Sequence, residues 1–411
     1  MTADKSGLGR SLDAVNFFLA DVRDGLGPYL AIYLLTEQKW DEASIGLVMS
    51  MAAIAGIVAQ TPAGALIDRS TAKRALVVAA AITVTLGCLA PPLTSRFELV
   101  AATQAIAAAA GAMFAPAIAA VTLGIVGPQA FARRTGRNEA FNHAGNAVAA
   151  AIAGGTAYFF GPVVVFWLLA AMALASIFAT LSIPAGAIDN EVARGLDSTT
   201  QTEAGMHHRP SGFQVLLTCR PLLIFAAATV VFHFANAAML PLVGQKLALV
   251  NRELGTTLMS ACIVAAQVVM VPVAALVGHK ADVWGRKPIF AVALGVLAVR
   301  GALYPLSENP YWLVGVQLLD GVGAGIFGAL FPLVVADLTH GTGHFNVSQG
   351  AIATAAGLGG ALSAAVSGFI VVNAGYSAAF LFLAAVAGAG LIAFCILMPE
   401  TLRNRTGDPG R

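Results

Sequence analysis

A charged ten-residue loop occurs twice in this chain of 411 residues. The first copy, GALIDRSTAK, begins at Gly64, and the second, GHKADVWGRK, begins at Gly278. The glycine, the aspartate and the final lysine of the two copies are each separated by 214 positions. Each copy joins two long apolar stretches. A repeat at this distance predicts a chain built from two halves of the same topology.

The composition places both halves in a membrane. Hydrophobic residues make up 58% of the chain and charged residues only 11%, whereas a soluble domain carries about 25% charged residues. Many apolar runs exceed the roughly 20 residues that cross a bilayer as a helix. The alternation of polar and apolar residues that a transmembrane barrel requires is not seen. The sequence therefore predicts an all-α membrane protein.

Twelve apolar stretches follow one another, six on each side of the one long hydrophilic segment. They lie near residues 12–35, 43–67, 73–93, 97–125, 138–160, 162–185, 219–244, 254–279, 288–305, 310–337, 346–373 and 376–398. This pattern predicts four regions: a six-helix lobe (1–185), a flexible cytoplasmic linker (186–218), a second six-helix lobe (219–400) and a cytoplasmic tail (401–411).

The basic residues predict the orientation in the membrane. With both termini in the cytoplasm, 17 of the 23 Lys and Arg residues lie in inside segments and four in outside loops. This asymmetry follows the positive-inside rule. We therefore expect a multi-pass protein of the cell (inner) membrane with both ends cytoplasmic. The first apolar stretch continues past Pro28, so we expect an uncleaved first helix.

The duplicated loop resembles the loop between the second and third helices of the major facilitator superfamily, which recurs between the eighth and ninth. The resemblance implies twelve helices in two pseudo-symmetric lobes and secondary transport by alternating access. It also implies that the loops gate the cytoplasmic side. The gating residues would be Gly64, Asp68, Arg69, Lys73, Gly278, Asp282, Arg286 and Lys287.

Ionisable residues inside apolar spans indicate function because burying them is costly. Asp21 and Asp24 are three residues apart in the first span and share a helix face. In the resembling family, helices one, four, seven and ten line a central cavity. By that likeness, the substrate and proton-coupling cavity would hold Asp21, Arg23, Asp24, Gln104, His233, Asn236, Gln317 and Asp320.

Two interpretations of the first-span charges stay open. Asp21 or Asp24 carries a proton or cation, or both carboxylates only pair with Arg23. Asp320, well inside the tenth span, has the same two readings. Arg300 lies in the ninth span, a peripheral helix in the family, and is expected to snorkel outward.

Glycines extend the repeat into the fifth and eleventh spans. The sequence alignment pairs Gly145, Gly154 and Gly155 with Gly350, Gly359 and Gly360. Small residues at such spacings allow close helix packing in membranes.

The cargo is less constrained than the fold. Two motifs of proton-driven drug exporters are incomplete, with Ala101 in place of an arginine and with Tyr158 and Phe159 in place of a Gly-Pro pair. We expect proton-coupled efflux, by exchange, of a small neutral or cationic organic solute. One alternative is a transporter of a divalent metal, a metal chelate or a carboxylate. Another is a non-transporting sensor or membrane-embedded enzyme.

The remaining expectations concern partners. The formal charge of +2 is spread over loops, so no nucleic-acid partner is expected. The four cysteines form no CxxC pair, and no cofactor motif or catalytic pair is present. We expect a monomer and no enzyme activity, with small-molecule substrate, protons and the lipid bilayer as partners.

Overall fold

The computed structural model describes residues 5–24, 27–160, 163–196, 218–250 and 255–402, and within these ranges the regular structure is helical. The helices are α1 (Lys5–Asp24), α2 (Gly27–Thr36), α3 (Glu42–Arg69), α4 (Lys73–Leu89), α5 (Phe97–Gly111), α6 (Phe114–Phe160), α7 (Val164–Leu181), α8 (Arg220–Ala237), α9 (Met239–Val250), α10 (Gly255–Trp284), α11 (Arg286–Leu303), α12 (Pro310–Thr339) and α13 (Phe345–Leu397).

Two of the helical stretches, α5 together with α6 and α13 alone, are long enough to cross the membrane twice. Among the described residues, nine helical stretches are long and apolar enough to span a bilayer, and the stretches 97–153 and 345–397 contain 57 and 53 residues. Gly127 (φ 71°) interrupts α6 and Gly375 (φ 84°) interrupts α13. Only glycine adopts such positive φ angles readily, so the chain reverses there. With α1 and α2 as the first crossing, the chain has twelve membrane helices, as the sequence predicts.

Helix ends follow local chemistry. Asp41 precedes α3 and accepts a hydrogen bond from the Ser44 N–H at 2.9 Å. Asn309 accepts one from the Tyr311 N–H at 2.8 Å, and a proline opens α12. These side chains satisfy N–H groups that have no partner within the first turn of a helix. The caps therefore fix where both helices begin.

The fifth span begins earlier than expected. The sequence places its start at residue 138 because Arg133, Arg134 and Arg137 look like a loop. The structure instead continues the helix back to Pro128, directly after the break at Gly127. The helix is therefore longer than the predicted apolar span, because a helix extends beyond the apolar core without losing its backbone hydrogen bonds.

By mutual contacts the chain divides into two units. Unit 1 comprises Met1–Pro128, Arg137–Thr199 and His344–Thr354, and unit 2 comprises Gln129–Gly136, Thr200–Gly343 and Ala355–Arg411. The core of unit 1 is aliphatic with a Tyr33–Phe166 edge contact. In unit 2, Phe232 stacks on Phe327 with ring centres 5.0 Å apart. The predicted lobe boundaries stay a prediction.

The first part of the expected linker is folded. Residues Ala185–Ala187 and Val192–Arg194 form short 3-10 turns, and Ala193 is fully buried. The Asp189 N–H donates to the Gly124 carbonyl at 3.0 Å. This segment is therefore packed on unit 1 rather than flexible, and residues 197–217 lie outside the described part of the chain.

Candidate functional site

A buried ion pair joins two membrane-spanning helices of unit 2. Arg300 on α11 is only 1% exposed, and its Nη1 lies 2.5 Å from Oδ1 of Asp320 on α12. The Asp320 side chain is 12% exposed. The guanidinium is always charged, so its burial requires an anionic partner. Asp320 supplies that charge.

Three neutral side chains complete the pair. Arg300 also donates to Oδ1 of Asn236 (2.5 Å), to the Tyr304 hydroxyl (3.0 Å) and to Oε1 of Gln317 (3.3 Å). Tyr304 donates to Oε1 of Gln317 at 2.5 Å, and Nε2 of Gln317 donates to Oδ2 of Asp320 at 2.9 Å. Arg300, Tyr304, Gln317 and Asp320 thus form a closed ring of hydrogen bonds, and Asn236 joins α8 to this ring through Arg300.

The position of Arg300 corrects a prediction from the sequence. Arg300 does not snorkel to the membrane surface but lies fully buried in this ring. The signal was present: Arg300 and Tyr304 are four residues apart, and Gln317 and Asp320 are three apart, so each pair shares one helix face. The prediction followed the peripheral place of the ninth helix in the family and did not use that spacing. Tyr304 was missed for the same reason.

His233 lies one turn before Asn236 on α8. Its Nδ1 is 3.0 Å from the Thr229 carbonyl, which only accepts, so Nδ1 carries the proton and Nε2 is the acceptor in the neutral ring. The ring packs edge-on against Phe327 with centres 4.8 Å apart. Phe327 stacks in turn on Phe331, 5.4 Å away. An imidazole and an aromatic surface therefore extend from the turn next to the ion-pair ring.

Unit 1 holds an uncharged counterpart of this ring. Nε2 of Gln104 donates to the Gly87 carbonyl at 2.8 Å, between α5 and α4. Gln104 and Gln317 are 213 positions apart, as are Gly87 and Arg300. The position 213 before Asp320 is a buried alanine. The two halves thus share the glutamine, but only the second half carries the charges.

In the first span, the described contact of Arg23 is with Glu139 rather than with Asp21 or Asp24. Nη1 of Arg23 is 3.9 Å from Oε1 of Glu139 on α6, and its side chain is 37% exposed. Asp21 lies within electrostatic range of the Tyr29 hydroxyl. Asp24 ends α1, and its side chain is outside the described part of the structure. Because these residues belong to unit 1, their facing the unit 2 residues across a cavity stays a prediction.

A second ion pair near α1 was missed. Asp13 is 7% exposed and accepts two bonds from Arg137, from Nε at 2.9 Å and Nη2 at 2.6 Å. This two-pronged geometry is the strong form of an arginine–carboxylate pair. The signal was an aspartate one residue inside the first apolar stretch.

The first loop copy caps a helix from the other end of the sequence. Asp68 is 4% exposed, and its carboxylate accepts the N–H groups of Asn346 at 3.2 Å and Val347 at 2.8 Å. The Asn346 amide also donates to Asp68 and to the Ala193 carbonyl. All four residues belong to unit 1. A carboxylate at the first turn of α13 also meets the positive end of the helix dipole.

Glycines bring the backbones together at the same crossing. A Cβ on Gly64 would lie 2.1 Å from the Asn346 carbonyl oxygen, and one on Gly350 would lie 2.1 Å from the Gln60 carbonyl oxygen. In unit 2, a Cβ on Gly278 would lie 2.7 Å from the Cα of Gly136. Larger residues do not fit at these crossings.

The second loop copy does not cap. Asp282 is paired instead with Arg286 at 2.8 Å, and Arg286 also reaches Asp337 at 3.0 Å. The equivalents of Asn346 and Val347, 214 positions earlier, are residues 132 and 133. They lie inside the helix that restarts at Pro128, so their N–H groups bind their own helix.

Glu400 caps the start of α11 instead. Its carboxylate accepts the N–H groups of Arg286 at 2.8 Å and Lys287 at 3.1 Å, and those of Thr401 and Leu402. Burial raises the pKa of Glu400, but the four N–H groups together outweigh it, so the pKa lies below its usual value.

The other loop cations differ in environment. Lys73 is 1% exposed and donates to the Ser70 carbonyl at 2.8 Å and to Oδ1 of Asn190 at 3.3 Å. Arg69 is exposed, and Lys287 is half-buried. Only Lys73 is therefore fixed inside its unit among these three.

The glycine contacts also correct the repeat alignment. Gly145 packs against the Phe17 carbonyl, and Gly359 packs against the Val230 carbonyl. Gly145 and Gly359 are 214 positions apart, and so are Gly136 and Gly350. The pairing of Gly145 with Gly350 was wrong because glycine-rich helices match at several registers.

Within the described residues, no three His, Cys, Asp or Glu side chains lie together in a group that could hold a metal ion.

Comparison with known proteins identifies the family. The model of the Major Facilitator Superfamily matches residues 12–344 and 250–411. The chain belongs to this superfamily. An uncharacterized MFS-type transporter of Mycobacterium tuberculosis is 64% identical over 395 residues, covering 96% of this chain and 94% of that protein. The protein is thus a multi-pass membrane transporter.

Two further likenesses are more distant. Citrate exporter 1 of Aspergillus niger is 26% identical over 135 residues, which is 32% of this chain and 25% of that protein. The solved structure of the MFS proton:xylose symporter XylE has a TM-score of 0.72 at 13% identity and covers 96% of this chain and 95% of that one. The second likeness shows the superfamily fold alone.

The superfamily frame assigns the ring to particular spans. Asn236 lies in the seventh span, Arg300 and Tyr304 in the ninth, and Gln317 and Asp320 in the tenth. Members of this superfamily carry small molecules, so a charged ring at the meeting of three spans is the candidate site of unit 2.

Proposed function

We propose that this protein is a proton-coupled secondary transporter that exports a small organic solute by alternating access, with Asp320 as its proton-binding group. In this proposal it acts as a monomer in the inner membrane, with both termini cytoplasmic and without enzyme activity. The observation that carries the proposal is the buried pair of Arg300 and Asp320 in membrane-spanning helices.

A proton on Asp320 changes the ring in two ways. It removes the anionic partner of Arg300, and it turns one acceptor oxygen into a donor. In a low-dielectric site such a change alters the interaction between helices much more than at a surface. Proton binding at Asp320 therefore biases the arrangement of α8, α11 and α12, which is what coupling to a gradient requires.

The loop contacts supply the proposed gate. Asp68 holds the first turn of α13 through Asn346 and Val347. In an alternating-access cycle these bonds form in one state and break in the other, whereas the Asp282–Arg286 pair stays within one loop. The first loop copy is then the part of the gate whose contacts change during the cycle, and the second copy keeps its contacts.

The relatives support parts of this proposal. XylE is a proton:xylose symporter, so the fold accommodates proton coupling. The distant likeness to a citrate exporter supports the outward direction.

The proposal is tested with purified protein in liposomes that contain a pH-sensitive dye. A panel of cationic, neutral and carboxylate compounds is added, and protein-free liposomes give the passive background. We expect solute-dependent proton movement in wild type and none in Asp320→Asn, which still exchanges labelled solute. Glu308→Gln is the matched control, because Glu308 is 79% exposed in the loop before α12 and pairs with Lys246 at 3.5 Å, outside the ring. Wild-type proton movement in Asp320→Asn contradicts the proposal.

A further inference from the structure

The charges around Arg300 constrain what Asp320 can do. Of the four side chains that bind the guanidinium, Asn236, Tyr304 and Gln317 are neutral, and Asp320 alone is anionic among the described residues. The arginine itself keeps its charge at every working pH. A proton on Asp320 therefore leaves a buried cation without a counterion.

The neighbouring titratable groups do not replace that counterion. Among the described residues they are His233 on α8, the Cys262 thiol on α10, which lies within electrostatic range of Arg300, and Tyr304 in the 3-10 turn directly after α11. A neutral or protonated imidazole adds no negative charge, and ordinary thiols and phenols are neutral at pH 7. An unpaired buried guanidinium is strongly unfavourable. Protonation of Asp320 alone is therefore disfavoured.

We propose that the transported solute is an organic carboxylate, which binds Arg300 when a proton occupies Asp320. This rests on the proposed function, because it assigns the substrate of the same site. The proton comes from solution to a carboxylate oxygen of Asp320, and the solute carboxylate takes over the salt bridge to Arg300. Proton and anion enter together, so the net charge of the ring is unchanged.

The surroundings favour a carboxylate with an apolar body. Asn236 and Asp320 form the half-buried edge of the ring, while Arg300 and Gln317 are fully buried behind it. Phe327 and Phe331 follow Asp320 by seven and eleven residues, so all three lie on one face of α12. These rings offer an aromatic surface to the part of the solute beyond its carboxylate.

This mechanism changes the expected direction of coupling. The sequence favours exchange of a neutral or cationic solute for a proton, but a carboxylate and a proton bind cooperatively and travel together. Export then runs down the gradient of the solute itself and carries the proton outward.

The test is calorimetric binding to the full-length protein in detergent. The probes are benzoate, benzamide and benzylamine, with acetate and 2-naphthoate to vary the apolar body. Between about pH 6 and pH 8 benzoate stays ionised. Uptake of one proton per ligand predicts that wild-type affinity for benzoate rises about tenfold for each pH unit lowered.

Asp320→Asn mimics the protonated aspartate. We expect it to bind benzoate at least as tightly as wild type at pH 8, with an affinity that does not change with pH. Glu308→Gln keeps the wild-type slope. In case Asp320→Asn does not fold, the neutral double variant Arg300→Gln/Asp320→Asn tests the same site and is expected to lose benzoate binding while keeping a wild-type elution profile.

The outcomes separate the substrate class from the coupling. Failure of wild type to bind benzoate, or binding retained in the double variant, overturns the carboxylate site. Tighter binding of benzylamine, with an affinity that rises with pH and depends on Asp320, overturns the substrate class but leaves Asp320 as the coupling group. Benzoate affinity that is independent of pH in wild type overturns the linkage and the coupling role together.

Discussion

Nη1 of Arg300 and Oδ1 of Asp320 are 2.5 Å apart between α11 and α12. The residues 213 positions earlier, Gly87 and Ala107, and those at the 214-residue spacing of the loops, Leu86 and Ile106, are all uncharged. Only the second half therefore carries this pair. A pair that is absent from the repeated architecture is more readily explained by function than by packing.

The first prediction concerns the energetics of this pair. Arg300→Gln leaves the buried Asp320 without its cation, so we expect a loss of roughly 3–5 kcal/mol in stability. Arg300→Gln/Asp320→Asn removes both charges and regains most of it. Thermal unfolding of the three proteins in detergent measures this. Equal melting temperatures for wild type and Arg300→Gln are inconsistent with a buried pair.

The second prediction concerns the asymmetry of the two loops. Thr61 and Thr354, whose hydroxyl oxygens are 2.9 Å apart, are replaced by cysteine after Cys219 and Cys395 are changed to serine. Asp68→Asn weakens the cap on α13, so we expect a severalfold lower yield of the disulfide. Asp282→Asn leaves the yield unchanged, because Asp282 pairs with Arg286 instead. An equal loss of disulfide yield in both variants argues against a capping role for Asp68 that Asp282 does not share.

The third prediction uses two glycines of the same helix. A Cβ on Gly64 collides with the Asn346 carbonyl, whereas a Cβ on Gly46 meets nothing within 4 Å. Gly64→Ala should lower the melting temperature and abolish the disulfide between cysteines placed at positions 61 and 354. Gly46→Ala should be neutral or stabilising by up to about 1 kcal/mol, because alanine favours a helix. If Gly64→Ala retains wild-type stability and crosslinking, the close approach of α3 and α13 is refuted.

The fourth prediction follows from the lowered pKa of Glu400. A depressed pKa means that the ionised carboxylate stabilises the fold above the usual value of 4.5, and this contribution is lost as the pH falls through the folded value. At pH 7 the melting temperature of wild type should be higher than that of Glu400→Gln. The difference in melting temperature should shrink as the pH falls below about 4.5. Melting curves of both proteins from neutral to acidic pH check this. A difference that grows on acidification has the wrong sign.

The sequence determines the fold and much of the ring, and the reasons for the errors are physical. Apolar length, basic loops and the repeat predict twelve helices, because these features follow directly from the thickness and polarity of the bilayer. Asn236, Gln317 and Asp320 were grouped by the likeness to the family, in which helices seven and ten line the central cavity.

Two of the errors share one cause. The burial of Arg300 and the register of Gly145 both depend on how helices are rotated against each other. Rotation is decided by packing between distant segments, and a single apolar sequence carries little information about it. The cap that Asp68 places on α13 is likewise a contact across 278 residues.

The most direct test of the central claim observes the proton on Asp320 itself. Infrared difference spectra of the protein in liposomes, recorded on acidification with 2-naphthoate present, report the carbonyl stretch of a protonated carboxyl group. The account predicts a band in wild type and Glu308→Gln that is absent from Asp320→Asn. The same band at full intensity in Asp320→Asn would show that another group carries the proton and would contradict the account.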